Sequence, residues 1–329
     1  MSLINEEQAT ALLRAEKIVA LPTETVYGLA GVFDSKIAIE SIFTTKKRPS
    51  FDPLILHVSS IAQAQTVIKD WSPVYTALAE EFWPGPLTLV GAKTDLVSPQ
   101  ITAGLETVAV RSPRHPVFLS ILNKLGKPLA APSANQFSKT SPTQAGHVLS
   151  EFENKVPVVD GGSSEVGIES TIISIESFDK ASHTVQMRLL RPGMLSAESI
   201  VSHLSTKGYE ATVQKTPSHS RQVVAPGQMK VHYRPSKPLI LFSPKRFSST
   251  ELKKLLHEKH DYSAQLKPIL WRLSIQPALV ARTLYSEMRE FSQRPGNIIF
   301  CEWPHSVQPS EEWLAIFNRL DRASELKCF

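Results

Sequence analysis

A chain of 329 residues exceeds the roughly 250–300 at which single hydrophobic cores stop growing, so two domains are expected. A hydrophobic share of 42% excludes wholesale disorder, and no run approaches the roughly 18 uninterrupted apolar residues of a bilayer span, so no membrane role is expected. The start, MSLINEEQATALLRAEK, is acidic where a signal peptide is apolar, and two cysteines cannot build a disulfide framework, which points to the cytoplasm; the formal charge of +5 suits anionic partners without naming one.

Asn5 and Gln8 have the spacing of a capping box, and Ala9, Leu12, Leu13 and Ala15 predict a helix ending near Lys17. Short apolar runs predict buried strands at Ile18–Leu21, Pro53–Val58, Leu87–Val90 and Val108–Val110. Helices are predicted between them at Lys36–Thr45, Ile61–Trp71, Pro73–Phe82 and Pro116–Leu125, then at Pro142–Phe152 with Ser141 as its cap. Strands Val156–Val159, Thr171–Ile175 and Val185–Leu190, helix Ala197–Lys207 and strand Glu210–Gln214 complete a layered α/β domain over residues 1–214. Residues 215–238 show no period and carry four prolines, the pattern of a linker or lid. In 239–329, strands Leu239–Phe242, Ile269–Leu273 and Asn297–Cys301 alternate with helices Thr250–Lys259, Pro277–Gln293 and Ser310–Leu326, which predicts a small parallel sheet.

Phosphate-loop, dinucleotide, zinc-protease and serine-hydrolase motifs are all absent. Polar clusters instead punctuate strand ends: Pro22–Gly28 (PTETVYG), Lys46–Pro49 (KKRP), Pro132–Asn135 (PSAN) and Gly167–Thr171 (GIEST). Loops beyond strand ends form the ligand crevice of layered α/β domains, so these clusters can converge. Taken singly they have ordinary readings. Lys46 and Arg48 suit a solvated helix C-terminus as well as an anion site; Ser133 and Asn135 suit a turn; His57, inside a strand, suits a core position. Asp160 with Gly161 and Gly162 reads as a tight turn.

In order, however, the segments LPTETVYGLA (21–30), KKRPSFDPLILHV (46–58), FWPGPLTLV (82–90), VAVRSPRHP (108–116), APSAN (131–135), GIESTII (167–173) and RPG (191–193) resemble the Sua5/YrdC family of threonylcarbamoyl-AMP synthases. The resemblance continues through APGQMKVHYRP (225–235) into LYSEMREF and WLAIFNRLDRAS near the C-terminus. It implies a YrdC-like twisted mixed sheet with helices on both sides and a positively lined concave face, followed by a small Rossmann-like parallel α/β domain. It also implies a nucleotidyltransferase that converts L-threonine, bicarbonate and ATP, with Mg2+ accompanying the nucleotide and no organic cofactor, into threonylcarbamoyl-AMP and pyrophosphate for N6-threonylcarbamoyladenosine in tRNA.

Carried over by position, the resemblance makes Lys46, Arg48, Ser133 and Asn135 the catalytic set. Arg48, Asp52, Thr107, Ser133, Ser141, Arg191 and Tyr233 fall to ATP, and Thr25, His57, Arg111, Ala131 and Ser170 to L-threonine, with no protein-held metal. Asp52 stands where asparagine is expected, and a carboxylate there opposes phosphate unless it faces magnesium or solvent. Arg48 is expected at a loop mouth, so that its loss spares folding. The implied partners are the tRNA threonylcarbamoyl-transfer machinery and RNA on the basic concave face. Two other readings stand beside this one. A non-catalytic double-stranded-RNA or ribosome-maturation module would not need both KxR and SxN. A hydrogenase-maturation carbamoyl-transfer domain would bring acylphosphatase and zinc-finger segments that this chain lacks.

Overall fold

The computed structural model describes residues 2–215, 226, 229, 232–259, 266–304 and 307–329. After β1 (Leu3–Ile4), helix α1 (Glu6–Arg14) starts on the expected capping box: the Gln8 amide donates to the Asn5 side chain at 2.9 Å, and the Asn5 amide to the Gln8 side chain at 3.0 Å. Then come β2 (Val19–Leu21), β3 (Gly28–Val32), α2 (Lys36–Lys46), β4 (Ile55–His57), α3 (Ile61–Gln65), α4 (Pro73–Phe82) and β5 (Leu87–Ala92). They are followed by α5 (Pro99–Thr102), β6 (Thr107–Arg111), α6 (Pro116–Leu125) and β7 (Leu129–Ala130). Helix α7 (Ala145–Glu151), β8 (Val158–Val159), β9 (Thr171–Asp179), β10 (Thr184–Arg191), α8 (Ala197–Thr206) and β11 (Glu210–Lys215) complete this unit.

Among the described residues these strands form one mixed eleven-stranded sheet, ordered β1-β8-β2-β3-β7-β4-β6-β5-β9-β10-β11. Side-chain alternation gives it two buried faces. Val19 and Leu21 pack with Leu13 of α1 and Phe118, Ile121 and Leu122 of α6, whereas Ala20 between them joins Ile39 and Ile42 of α2, Leu78 of α4 and Ile200 of α8. Helices therefore cover both sides, as expected.

The second unit comprises β12 (Leu239–Phe242), α9 (Ser249–Lys259), β13 (Pro268–Arg272), α10 (Pro277–Gln293), β14 (Ile298–Glu302), α11 (Glu311–Ala323) and β15 (Leu326–Cys328). Its strands are ordered β13-β14-β12-β15, and every pairing among them is parallel. Central β12 is flanked by both cysteines, Cys301 opposite Leu241 and Cys328 opposite Phe242, each a buried free thiol. The two units share a core: Val26 and Ile168 of the first pack with Leu284, Tyr285 and Ile316 of the second.

Three predicted elements differ. Helix α7 starts at Ala145, with Gln144 rather than Ser141 as its N-cap, because the Pro142 and Thr143 carbonyls accept from the Tyr27 and Ser164 amides at 2.9 Å each. Helix α3 stops at Gln65 because the Lys69 amide turns to the Ala92 carbonyl at 2.7 Å. Helix α11 ends at Ala323, and the chain then adds β15 to the sheet edge, led in by the Glu325 amide on the Leu239 carbonyl at 2.9 Å. Of the expected linker, 216–225, 227–228 and 230–231 lie outside the described residues; His232 and Tyr233 are described and buried.

Candidate functional site

A cleft of about 570 Å³, open mouth included, lies over the face of β3, β7, β4 and β6 and reaches the end of β10. Parallel pairing of β4 with β6 sets His57 opposite Arg111, and the period of two puts Ile55 beside His57 on the same face. Gly28 leaves room for the next strand, since a Cβ there would stand 3.2 Å from that of Ala131.

Thr25, His57, Arg111 and Ala131, assigned to threonine, all line this cleft. Arg111 donates to the Thr25 hydroxyl at 2.8 Å and to the Gly85 carbonyl at 3.1 Å, and it meets Glu24 in an ion pair at 2.6 Å. Glu24 also accepts from the Arg114 amide at 3.0 Å. His57 is neutral: burial, and then the nearby Arg111 charge, push its pKa down to about 3, and its Nδ1 has no partner. Ser170 does not line the cleft; its hydroxyl accepts from Arg191 at 3.0 Å and meets Thr88 Oγ1 at 2.7 Å.

On the nucleotide side, Arg48, Ser133, Arg191 and Tyr233 line the cleft, whereas Lys46 and Asn135 do not. The Lys46 ammonium instead donates to the carbonyls of Ser133 (2.5 Å) and Asn135, tying the KxR and SxN loops together. Burial, then the Arg48 charge, lowers its pKa well below the ordinary value. Asn135 donates to the carbonyls of Gln136 and Lys139 at 2.7 and 2.9 Å, holding the SxN turn in shape.

Arg48 is no loop-mouth residue. Its side chain is 4% exposed, donates to the carbonyls of Asp52 (3.1 Å) and Pro53 (2.7 Å), and lies 2.9 Å from the Asp52 carboxylate. Asp52 thus faces neither solvent nor the cleft, and its charge is answered by Arg48. Ser141 donates to Glu169 at 2.6 Å and supports the cleft wall from behind. Thr107 stands four residues before Arg111 on β6, about 13 Å away along the strand, and does not line the cleft.

Arg191 donates to the Ser170 carbonyl at 3.0 Å and to the Pro226 carbonyl at 3.3 Å, and among the described residues it has no carboxylate within ion-pair distance. Tyr233, in the left-handed region at φ 63°, stacks on Tyr285 with ring centroids 5.6 Å apart, and its hydroxyl has no partner. Beside it His232 is neutral, its pKa pushed down to about 3 chiefly by burial.

Glu24, Thr23, Glu169 and His232 complete the wall or its charge balance, and the sequence assigns none of them a site role, although His232 stands beside Tyr233 in the stretch read as a lid. Glu24 and Glu169 do sit inside the quoted PTETVYG and GIEST segments, where a carboxylate beside an expected arginine site was the available signal. Glu169 is the carboxylate that lines the cleft, and its oxygens accept from Ser141, Tyr285 and Arg319. Burial raises its pKa, but Arg319, Arg191 and Ser141 outweigh this and hold it below the ordinary value. No cluster of three acidic, histidine or cysteine side chains fit for a metal occurs among the described residues. With Glu169 so engaged, the residues present do not fit a resident magnesium ion.

Comparison with known proteins gives matches along the whole chain. Residues 11–193 match the Sua5_yciO_yrdC family, described as telomere recombination, and residues 195–325 match the threonylcarbamoyl-AMP synthase C-terminal domain. The threonylcarbamoyl-AMP synthase of Bacillus subtilis is 35% identical, the match covering 96% of this chain and 92% of that protein. That of Pyrococcus abyssi is 34% identical over 96% and 93%. The crystal structure of P. abyssi Sua5 complexed with L-threonine superposes with a TM-score of 0.83 at 31% identity, covering 100% of this chain and 98% of that one. A double variant of the same protein, with an adjacent His-Tyr pair changed to alanine, superposes at 0.84 with the same identity and coverage.

Proposed function

From the fact that this chain belongs to the Sua5-type threonylcarbamoyl-AMP synthases, nucleotidyl-transferring enzymes of tRNA processing, we propose how its cleft divides the work. One observation carries the reading: three buried guanidiniums, Arg48, Arg111 and Arg191, line a single cleft; Asp52 and Glu24 pair with the first two from outside the lining, Glu169 is engaged from behind by Arg319, and Arg191 is left with no carboxylate partner among the described residues. That balance suits anionic reactants, here the threonine carboxylate, a carbamate and the ATP triphosphate.

Arg111 takes the threonine carboxylate, with Glu24 sharing its charge, and neutral His57 and Thr25 read the hydroxyl and amine. The threonine amine attacks the bicarbonate carbon, a C–N bond forms as a C–O bond breaks, and a carbamate and water result. The carbamate oxygen attacks the α-phosphorus, and pyrophosphate leaves with the electron pair of the broken P–O bond. Two anions must approach, so the protein's part is fixed positive charge and orientation rather than a nucleophile. Arg48 and Arg191 supply that charge, the Lys46-tied SxN turn shapes the phosphate side, and Tyr233 closes the nucleotide end. Magnesium enters with the nucleotide. We place the reaction in the cytoplasm, ahead of a transfer reaction that moves the threonylcarbamoyl group to tRNA. Residues 1–214, 215–238 and 239–329 are the working division into catalytic domain, lid and second domain.

The RNA-binding alternative is disfavoured because the cleft's guanidiniums, Arg48, Arg111 and Arg191, are buried in a cleft that Pro226, His232 and Tyr233 also line, and are not presented on an exposed basic face. The test is incubation with ATP, L-threonine and bicarbonate, following pyrophosphate and the mass of threonylcarbamoyl-AMP. Both products are expected, and 2-aminobutyrate, which lacks the hydroxyl, should react with at least about tenfold lower kcat/KM. Absence of both products moves the reading to the RNA module, and equal use of 2-aminobutyrate removes the hydroxyl-reading role.

A further inference from the structure

The second domain reaches the cleft wall through a small set of buried side chains. Arg319 of α11 is fully buried and donates through Nε to the Glu169 carboxylate at 3.1 Å, through Nη2 to the Glu169 carbonyl at 3.1 Å, and through Nη1 to the Pro192 carbonyl. Tyr285 of α10 donates to the same carboxylate oxygen at 2.9 Å. The two backbone positions that Arg319 grips are the immediate neighbours of Ser170 and Arg191. Those two residues form the pair that aims the cleft's third guanidinium, Arg191 donating to both the carbonyl and the hydroxyl of Ser170 at 3.0 Å.

We propose that Arg319 and Tyr285 are positioning residues for the nucleotide side of the reaction: the second domain clamps Glu169 and Pro192 and so holds Arg191 in register with the anion. The inference rests on the nucleotide role assigned to Arg191 above. Glu169 answers the Arg319 charge, which leaves Arg191 hydrogen-bonded to neutral acceptors and its positive charge available to ligand. Ser141 completes the carboxylate from the first domain, so its place beside the nucleotide site is explained by the same clamp. Geometry from an independent position agrees. Gly167, two residues before Glu169, brings its backbone so near α10 that a Cβ would fall 2.4 Å from the Ala281 carbonyl oxygen and the Arg282 Cα. The wall segment rests directly on the second domain's main chain.

A purely structural role and a positioning role separate in the constants. Loss of stability alone lowers the active fraction, so apparent kcat falls while KM for each substrate stays put. Loosened aim of Arg191 raises KM and Kd for ATP and leaves threonine, held by Arg111, unchanged. The experiment uses the full chain with Arg319→Lys, which keeps the charge and loses the fork, and Tyr285→Phe, which keeps the ring stacked on Tyr233. ATP and threonine binding are measured by calorimetry beside steady-state kinetics. Arg319→Lys is expected to weaken ATP about tenfold and threonine less than about twofold, the loss of one to two charge-assisted hydrogen bonds. Tyr285→Phe should shift ATP the same way by about threefold, and it carries the test should Arg319→Lys fail to fold. Wild-type ATP constants in the folded variants, or equal losses for both substrates, overturn the inference. A wild-type chain that binds threonine and not ATP overturns the nucleotide reading itself, and that result is read before any variant is made.

Discussion

Arg48 shows how one side chain can serve site and scaffold together. Its guanidinium lines the cleft, yet it also closes the 49–53 turn and is the charge that Asp52 faces. Arg48→Ala should therefore cost about 100- to 1000-fold in rate and also about 3–5 kcal/mol of stability, because a buried carboxylate is left alone. Adding Asp52→Asn should return most of that stability in urea unfolding while the rate stays low; recovery of both would make Arg48 purely structural. The buried histidines give a pH signature. His57 and His232 have folded pKa values near 3 against 6.5 when unfolded, so below about pH 6.5 the unfolded chain binds protons that the folded one refuses. Stability is then present above pH 6.5 and falls progressively toward pH 3, by about 2 kcal/mol per histidine at pH 5. Denaturant midpoints at pH 7 and pH 5 check this, and His57→Gln should flatten part of the slope. Neither histidine should add an inflection to the activity profile between pH 5 and 8.

At the level of elements, two left-handed glycines separate backbone strain from domain contact. Gly167 (φ 81°) abuts α10, while Gly162 (φ 78°) has nothing within 4 Å of where a Cβ would be. Gly162→Ala should cost about the 1–2 kcal/mol of the left-handed region, and Gly167→Ala clearly more, with a drop in ATP affinity that the Gly162 variant does not share. Equal thermal shifts in the two would mean that α10 yields to the intruding methyl. Helices such as Pro73–Phe82, Pro116–Leu125 and Pro277–Gln293 were legible in the sequence because proline marks their first turn and a 3.6 period fills the rest. Strands β1, β7 and β15 were not, being two or three residues long and defined by partners far away in the chain. GLAGV of β3 is buried throughout and shows no alternation to read. For the site, motif order picked out Arg48, Arg111 and Arg191, and the fold brings all three to one cleft. Motif order could not tell that Lys46 and Asn135 hold loops, since that depends on carbonyls of Ser133, Gln136 and Lys139 that only folding brings near.

Across the whole molecule, the site wall is continuous with the core of the second domain, where Tyr233, Val26 and Ile168 join Tyr285 and Leu284. A chain ending at Lys215 should keep the large sheet but lose most ATP affinity while retaining threonine binding, and calorimetry against the full chain checks both; undiminished ATP binding would reduce the second domain to an appendage. The two thiols beside β12 extend this coupling into time. Cys301 is fully buried and Cys328 is 6% exposed, so a thiol reagent can reach Cys301 only when the small sheet opens. When reclosing outpaces the reagent, labelling rate reports the population of that opened form. The chain thus carries its own chemical clock for the second domain, and ATP, by tightening a wall that Arg319 holds from behind, should slow that clock at a cysteine it never touches.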